Sequence, residues 1–230
     1  MPTPRSGIER RRIAAQEDGG EGYRERRQEI VKVAALVFKE KGFAAATLND
    51  IAGRLGTDRA SLYYYVANKE ELLQEIVRGV INENVAAAEK VKAQSGSGAQ
   101  KIETLIEDMI LSFDRNYPHM YVYIEDFARI SRQETKWAKD ILASTRRFEE
   151  IVVDILQEGQ NDGSLRSDLA NDLSALALFG MVNWHYLWFK STGSVTRTEY
   201  ADLVTRLIVD GARNVLKQPS KTSKRAAAAE

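Results

Sequence analysis

The tightest constraint on this chain lies between Gly42 and Asn68, where helix start and stop signals follow one another at short intervals. Thr47 stands just before Leu48-Asn49-Asp50-Ile51-Ala52-Gly53-Arg54-Leu55, and Gly56 follows. Threonine is a good N-cap, and Asp50 at the third helical position completes a capping box with a shorter acid. Leu48, Ile51, Ala52 and Leu55 share a face, so a helix of about two turns is predicted. Asp58 then caps a second short helix, from Arg59 to about Val66, whose Leu62 and Val66 point inward together. A longer helix precedes the pair from Arg24. Its Ile30, Val33, Ala34, Val37 and Phe38 form one apolar stripe, and Gly42 ends it as a left-handed cap. A fourth helix starts at Asn68 with Glu71 as capping-box partner. It buries Leu72, Leu73, Ile76, Val77 and Val80 and runs to about Ala93.

Two short helices joined at Gly56, braced by a longer helix on each side, form a helix-turn-helix plan. Such a plan needs a second helix short enough to enter a major groove, with hydrogen-bonding side chains facing outward. Here that face offers Thr57, Arg59, Ser61, Tyr64 and Tyr65. Arginine can reach guanine O6 and N7 together, and hydroxyls serve bases or phosphates.

The rest of the chain also reads as helical. Only four prolines interrupt 230 residues, and alternating β-branched runs are missing. Ser95-Gly96-Ser97-Gly98 marks a flexible break. Helices are then expected over 99–115, 118–130 with Pro118 in the first turn, 133–159, 169–190, and 197–216 with Thr196 and Glu199 as a capping box. Residues 1–22 read as a disordered arm whose basic cluster, Arg10-Arg11-Arg12, either is solvated or touches DNA phosphates. Residues 218–230 read as a disordered tail. The expected division is a DNA-binding domain over 23–70 and a helical regulatory and dimerisation domain over 71–217.

Composition narrows the function classes. Without cysteine there is no disulfide framework and no thiolate metal site. No apolar run approaches the roughly 20 residues of a membrane span, and residues 1–20 lack a secretory signal, so a cytoplasmic protein is expected. The formal net charge is zero, and residues 1–66 exceed the remainder only slightly in basic character, so charge alone does not point to nucleic acid. His119 and His185 lie on separate helices without a metal-ligand spacing, and neither a nucleophile elbow nor a phosphate loop occurs. An enzyme is therefore not expected, and no cofactor is. A constitutive DNA-binding architectural protein without a ligand stays open as an alternative.

The stretch Thr47–Gly56, followed by Ser61-Leu62-Tyr63-Tyr64-Tyr65-Val66-Ala67-Asn68-Lys69-Glu70-Glu71-Leu72-Leu73, closely resembles the reader of the TetR family of transcriptional regulators. The resemblance covers residues 24–70. Val66 stands where that family usually has Phe, and Ala67 where Pro or Gly is common. The resemblance implies an all-α chain with an N-terminal three-helix helix-turn-helix domain joined to a helical ligand-binding and dimerisation domain. It implies a homodimeric repressor that leaves a palindromic double-stranded DNA operator when a small apolar or amphipathic effector binds. It also implies that Thr47, Tyr63, Tyr65 and Lys69 meet phosphates. Arg59, Ser61 and Tyr64 are the candidates for base readout.

In the segments that the family places around its effector, Met109, Phe113, Tyr117, Met120, Tyr121, Tyr123, Ile124, Phe127 and Trp137 are concentrated. Aromatics and methionines can line an adaptable apolar pocket, and they can equally be ordinary core. For the dimer, Leu176, Gly180 and Trp184 fall at helical spacing in a segment that is apolar nearly all round. Leu203 and Leu207 repeat on the last helix. A helix apolar on every side needs partners on more than one side.

Overall fold

The computed structural model describes residues 20–189 and 192–213. Among them the fold is all-α. Nine α-helices run in the order α1 (Glu21–Lys41), α2 (Leu48–Arg54), α3 (Arg59–Tyr65), α4 (Lys69–Lys92), α5 (Gly98–Arg115), α6 (His119–Ile130), α7 (Lys136–Asn161), α8 (Asn171–Trp184) and α9 (Arg197–Thr205).

The short helices start where local chemistry sets them. Thr47 accepts the Asp50 backbone N–H while the Asp50 carboxylate accepts that of Thr47. Asp58 accepts the Ser61 N–H at 2.7 Å. Gly42 and Gly56 close α1 and the α2–α3 turn with φ of 75° and 65°, a region costly for residues carrying a Cβ. Asn68 caps α4, but the expected box is displaced by one residue. The Glu71 carboxylate takes the N–H of Ala67, because Arg27 draws it toward α1. One cap went unforeseen: Ser97 and Gln100 form a capping box, so the Ser-Gly-Ser-Gly stretch ends in an ordered helix start.

Helix lengths differ from expectation mostly near the carboxyl end. Residues 21 and 22, assigned to the arm, are already helical, because Gly20 accepts the first N–H groups of α1. Pro118 precedes α6 as its N-cap instead of lying within its first turn. The segment expected as one helix over 169–190 is α8 followed by a 3₁₀ turn, His185–Leu187. Likewise α9 is followed by a wide π turn, Arg206–Asp210. The remainder of the predicted 197–216 helix beyond residue 213, the arm's residues 1–19 and the tail lie outside the described residues.

One buried cluster runs through the described residues, from α1 to the segment after α9. Around the helix-turn-helix it comprises Ile30, Ala34, Phe38, Ile51, Leu62 and Val66, and in the body Ile102, Leu105, Ile110, Ile151 and Ile155. Each of the larger of these side chains contributes about 1.5–3 kcal/mol when fully buried. Val66, the departure from the family pattern, is completely buried. Helix α4 joins the two parts. It packs on α1 at one end and on α6 and α7 further along.

Helices α5 and α7 approach backbone to backbone at one point. A Cβ added at Gly98 would sit 2.2 Å from the Gly159 nitrogen. Real Cβ atoms do not come that close, so the helices would have to separate. Gly98→Ala should therefore cost about 1–3 kcal/mol, seen as a lowered thermal midpoint. An unchanged midpoint would show that the contact yields freely.

Candidate nucleic-acid interface and effector cavity

Leu62 is buried on the inner face of α3, which turns Ala60 and Tyr64, about 200° away along the helix, to the outside. Thr47, Arg59, Ser61 and Tyr64 are exposed, while Thr57, Tyr63 and Tyr65 are half-buried. The exposed groups are already engaged with one another. Arg59 donates to the Tyr63 hydroxyl at 2.6 Å, one turn along. Ser61 donates its hydroxyl to Asp58 at 2.8 Å, and Thr47 donates its own to Asp50 at 2.7 Å. The Lys41 amine, then the Thr47 hydroxyl and backbone, hold the Asp50 carboxyl down to about 2, so this cap keeps its charge at neutral pH. Tyr65 stacks on Tyr23 of α1 with ring centres 5.1 Å apart. Arg27 ties the assembly together by donating to the Tyr65 carbonyl and to the carboxylates of Glu71 and Glu75.

The Lys69 amine, expected at a phosphate, donates to the carbonyls of Phe43, Ala44 and Ala46, at 2.8, 3.0 and 2.9 Å. An ammonium has three protons, and all three are committed. Lys69 thus holds the loop that leads into α2, and a phosphate contact would have to displace one of those carbonyls. Sequence reasoning also passed over Ala60, whose lack of a polar group drew no notice although its exposure puts it at the centre of the face.

The body contains an apolar cavity of about 250 Å³ between α4, α5, α6, α7 and α8. Of the seven candidate ligand residues, Met109, Ile124 and Phe127 line it. The other four are placed elsewhere. Phe113 is fully buried beside His185. Tyr117 is exposed and Tyr121 is buried against Phe113, with the Lys39 amine of α1 5.2 Å from each ring. Trp137 packs half-buried against the core. Met120 and Tyr123 do line the cavity, together with Ile81, Asn84, Ser112, Thr145, Phe148, Glu149, Phe179 and Asn183, which were not anticipated. The inward faces of α4 and α7 held the missing signal, since polar residues there interrupt otherwise apolar stripes.

The outer face of α8, α9 and the turn after it is apolar and uncovered. Leu176 is 61% exposed, Trp184 66%, Leu203 47% and Leu207 60%. Nothing lies within 4 Å of a Cβ built on Gly180. Such a patch on a single chain marks an interaction surface. Leu176 also lines the cavity.

Behind that face sits a buried cation that the sequence did not single out. Arg197, 5% exposed, donates to Asp114, to His185 Nε2 at 2.5 Å and to the Tyr121 hydroxyl at 3.1 Å. Its guanidinium lies 4.0 Å from the ring centre of Phe189. Burial pushes the His185 imidazole below its usual range, and Arg197 acts in the same direction. The neutral ring accepts from Arg197 through Nε2, and its other nitrogen meets the Val182 carbonyl.

A helix-turn-helix reader carried on a helical body with an apolar cavity is the plan of a ligand-responsive, DNA-binding transcriptional regulator. Residues 30–76 match the bacterial regulatory proteins of the tetR family, and residues 95–212 match the tetracyclin repressor-like C-terminal domain. The chain belongs to the TetR family. It is 27% identical over 194 residues to the HTH-type transcriptional repressor KstR2 of Rhodococcus jostii RHA1, spanning 84% of this chain and 94% of that protein. Its fold is similar to that of the ketosteroid transcriptional regulator KstR2 of Mycobacterium tuberculosis, with TM-score 0.78 and 23% identity over 82% of this chain and 95% of that one. It is also similar to AibR in complex with isovaleryl coenzyme A and operator DNA, with TM-score 0.71 and 20% identity over 79% and 97% of the two chains.

Proposed function

We propose that two copies of this chain repress transcription from a palindromic operator and leave it when an apolar or amphipathic effector fills the cavity. The observation that carries this reading is the continuity of α4. It starts at Lys69 under the reader, and twelve residues later Ile81 forms part of the cavity wall, about 18 Å along the same helix. A second contact joins the same parts. The Arg129 guanidinium at the end of α6 lies 4.2 Å from the centre of the Phe43 ring, in the loop that Lys69 holds. Displacement of the cavity wall thus reaches the base of the helix-turn-helix by two routes. The effector acts by binding the two arrangements unequally.

In this reading Arg59, Ser61 and Tyr64 read base edges, and Thr47, Thr57, Tyr63 and Tyr65 meet phosphates. Met109, Ile124 and Phe127 contact the effector. Leu176, Gly180, Trp184, Leu203 and Leu207 form the dimer face, and the dimer works in the cytoplasm. That AibR was solved with an acyl thioester and operator DNA supports an acyl-bearing effector.

In vitro selection from random duplexes should return an inverted repeat whose half-sites lie roughly 34–36 Å apart, about one helical turn. Failure to enrich any sequence would overturn the reading. On the selected operator, Arg59→Ala should lose about 1–3 kcal/mol and tolerate more bases at one position per half-site. Equal losses on operator and random DNA would make Arg59 a phosphate contact.

A further inference from the structure

The cavity wall carries one carboxylate, Glu149, and no basic side chain. Its other polar groups are largely self-satisfied. Ser112 donates to the Met109 carbonyl at 2.8 Å. Thr145 donates to the Ile141 carbonyl at 3.0 Å and meets the Tyr123 hydroxyl at 3.1 Å. Glu149 follows Thr145 by one turn of α7 and stands differently. It has no hydrogen-bond or ion-pair partner among the described residues, and the nearby Arg147 is occupied by Glu89 and Glu150. The negative field of Glu149 therefore reaches the cavity without compensation. Burial pushes the Tyr123 phenol up, its hydrogen bond with Thr145 acts against this, and the Glu149 carboxylate adds a smaller push upward.

We propose that Glu149 makes the cavity refuse a carboxylate, so that an acyl chain enters as a neutral thioester, ester or amide group and not as the free acid. Two carboxylates in an apolar, partly enclosed space repel strongly, and neither finds a counter-ion in this wall. A neutral acyl carbonyl meets no such opposition, and its chain is suited to the surrounding Met120, Ile124 and Phe148. The inference rests on the cavity being the effector site. It places the regulator downstream of the class of reaction that activates carboxylic acids by esterifying them.

The probes are methyl octanoate and octanoate, titrated calorimetrically at neutral pH into the full chain and into Glu149→Gln. The wild type should bind the ester at least about tenfold more tightly than the acid. Glu149→Gln should raise octanoate affinity about tenfold while changing ester affinity less than about twofold. If octanoate binds the wild type as tightly as the ester, the inference fails while the effector site stands. It fails in the same way if the substitution leaves the ratio unchanged. If neither probe binds and neither alters operator binding, the effector reading falls and takes the inference with it. Ester affinity retained in Glu149→Gln shows that the variant is folded, so its gain in octanoate affinity can be read against the wild type.

Discussion

Leu207→Glu should convert the protein to monomers and weaken operator binding by about a hundredfold or more. Leu207 is exposed in the single chain, so the substitution disturbs no intramolecular packing. A two-fold interface places the new carboxylate twice, once from each copy, against Trp184, Leu203 and their counterparts. Burying an unpaired carboxylate there costs several kcal/mol per copy. Single half-sites bind far more weakly than a linked pair, because the second contact of a dimer is effectively intramolecular. Sedimentation velocity gives the assembly state, and gel shifts on the selected operator give the loss. A thermal midpoint close to that of the isolated protomer, with monomeric sedimentation, is the expected pattern. Sedimentation indistinguishable from wild type would remove this face from the dimer.

Arg197→Ala should be the most damaging single change in the body, at about 3–5 kcal/mol. The guanidinium supplies hydrogen bonds to Asp114, His185 and Tyr121 and packs between the rings of Phe113 and Phe189. Truncation leaves His185 Nε2 and the Tyr121 hydroxyl in an apolar setting without their donor, and it opens a cavity where the stem lay. It also removes the tie between α9 and helices α5 and α6. For a chain of this length the thermal midpoint should fall by roughly 10 °C. A fall of less than about 2 °C would mean that water replaces the guanidinium at little cost. Asp114 is largely exposed, so the damage should exceed that of Asp114→Ala.

What could be read in advance depended on the range of the interaction. The caps of α2, α3 and α9 depend on side chains three residues from the backbone groups they serve, so Thr47, Asp58 and Thr196 declared themselves. The exposed stripe of α8 was legible for a similar reason. Apolar side chains all round a helix exceed what one subunit covers, and Leu176 and Trp184 are indeed exposed. The cavity was harder, because apolar spacing does not distinguish a wall from a packed core. Met109 and Phe113 are four apart on α5, yet one lines the cavity and the other packs on His185. Tyr121 and Tyr123 diverge similarly, since residues two apart on a helix face nearly opposite ways. The hold of Lys69 on the carbonyls of residues 43, 44 and 46 was not legible, because those partners lie more than twenty positions away and carry no side-chain signature. Arg197 looked like an ordinary first-turn residue, and only the meeting of α5, α6, α8 and α9 buries it.

Leu176 belongs to two surfaces at once, since it lines the cavity and is also 61% exposed on the outer apolar face. A molecule that presses on it from inside is felt by whatever rests on it from outside. In a dimer joined through this face, each subunit would have a mechanical means of sensing whether its neighbour is filled, and occupancy of the two sites should then not be independent. The same geometry limits how this regulator can diversify. Enlarging or shrinking residue 176 to admit a different molecule also reshapes the outer apolar face, so changes of taste are easier at Phe148, which lines the cavity and is buried.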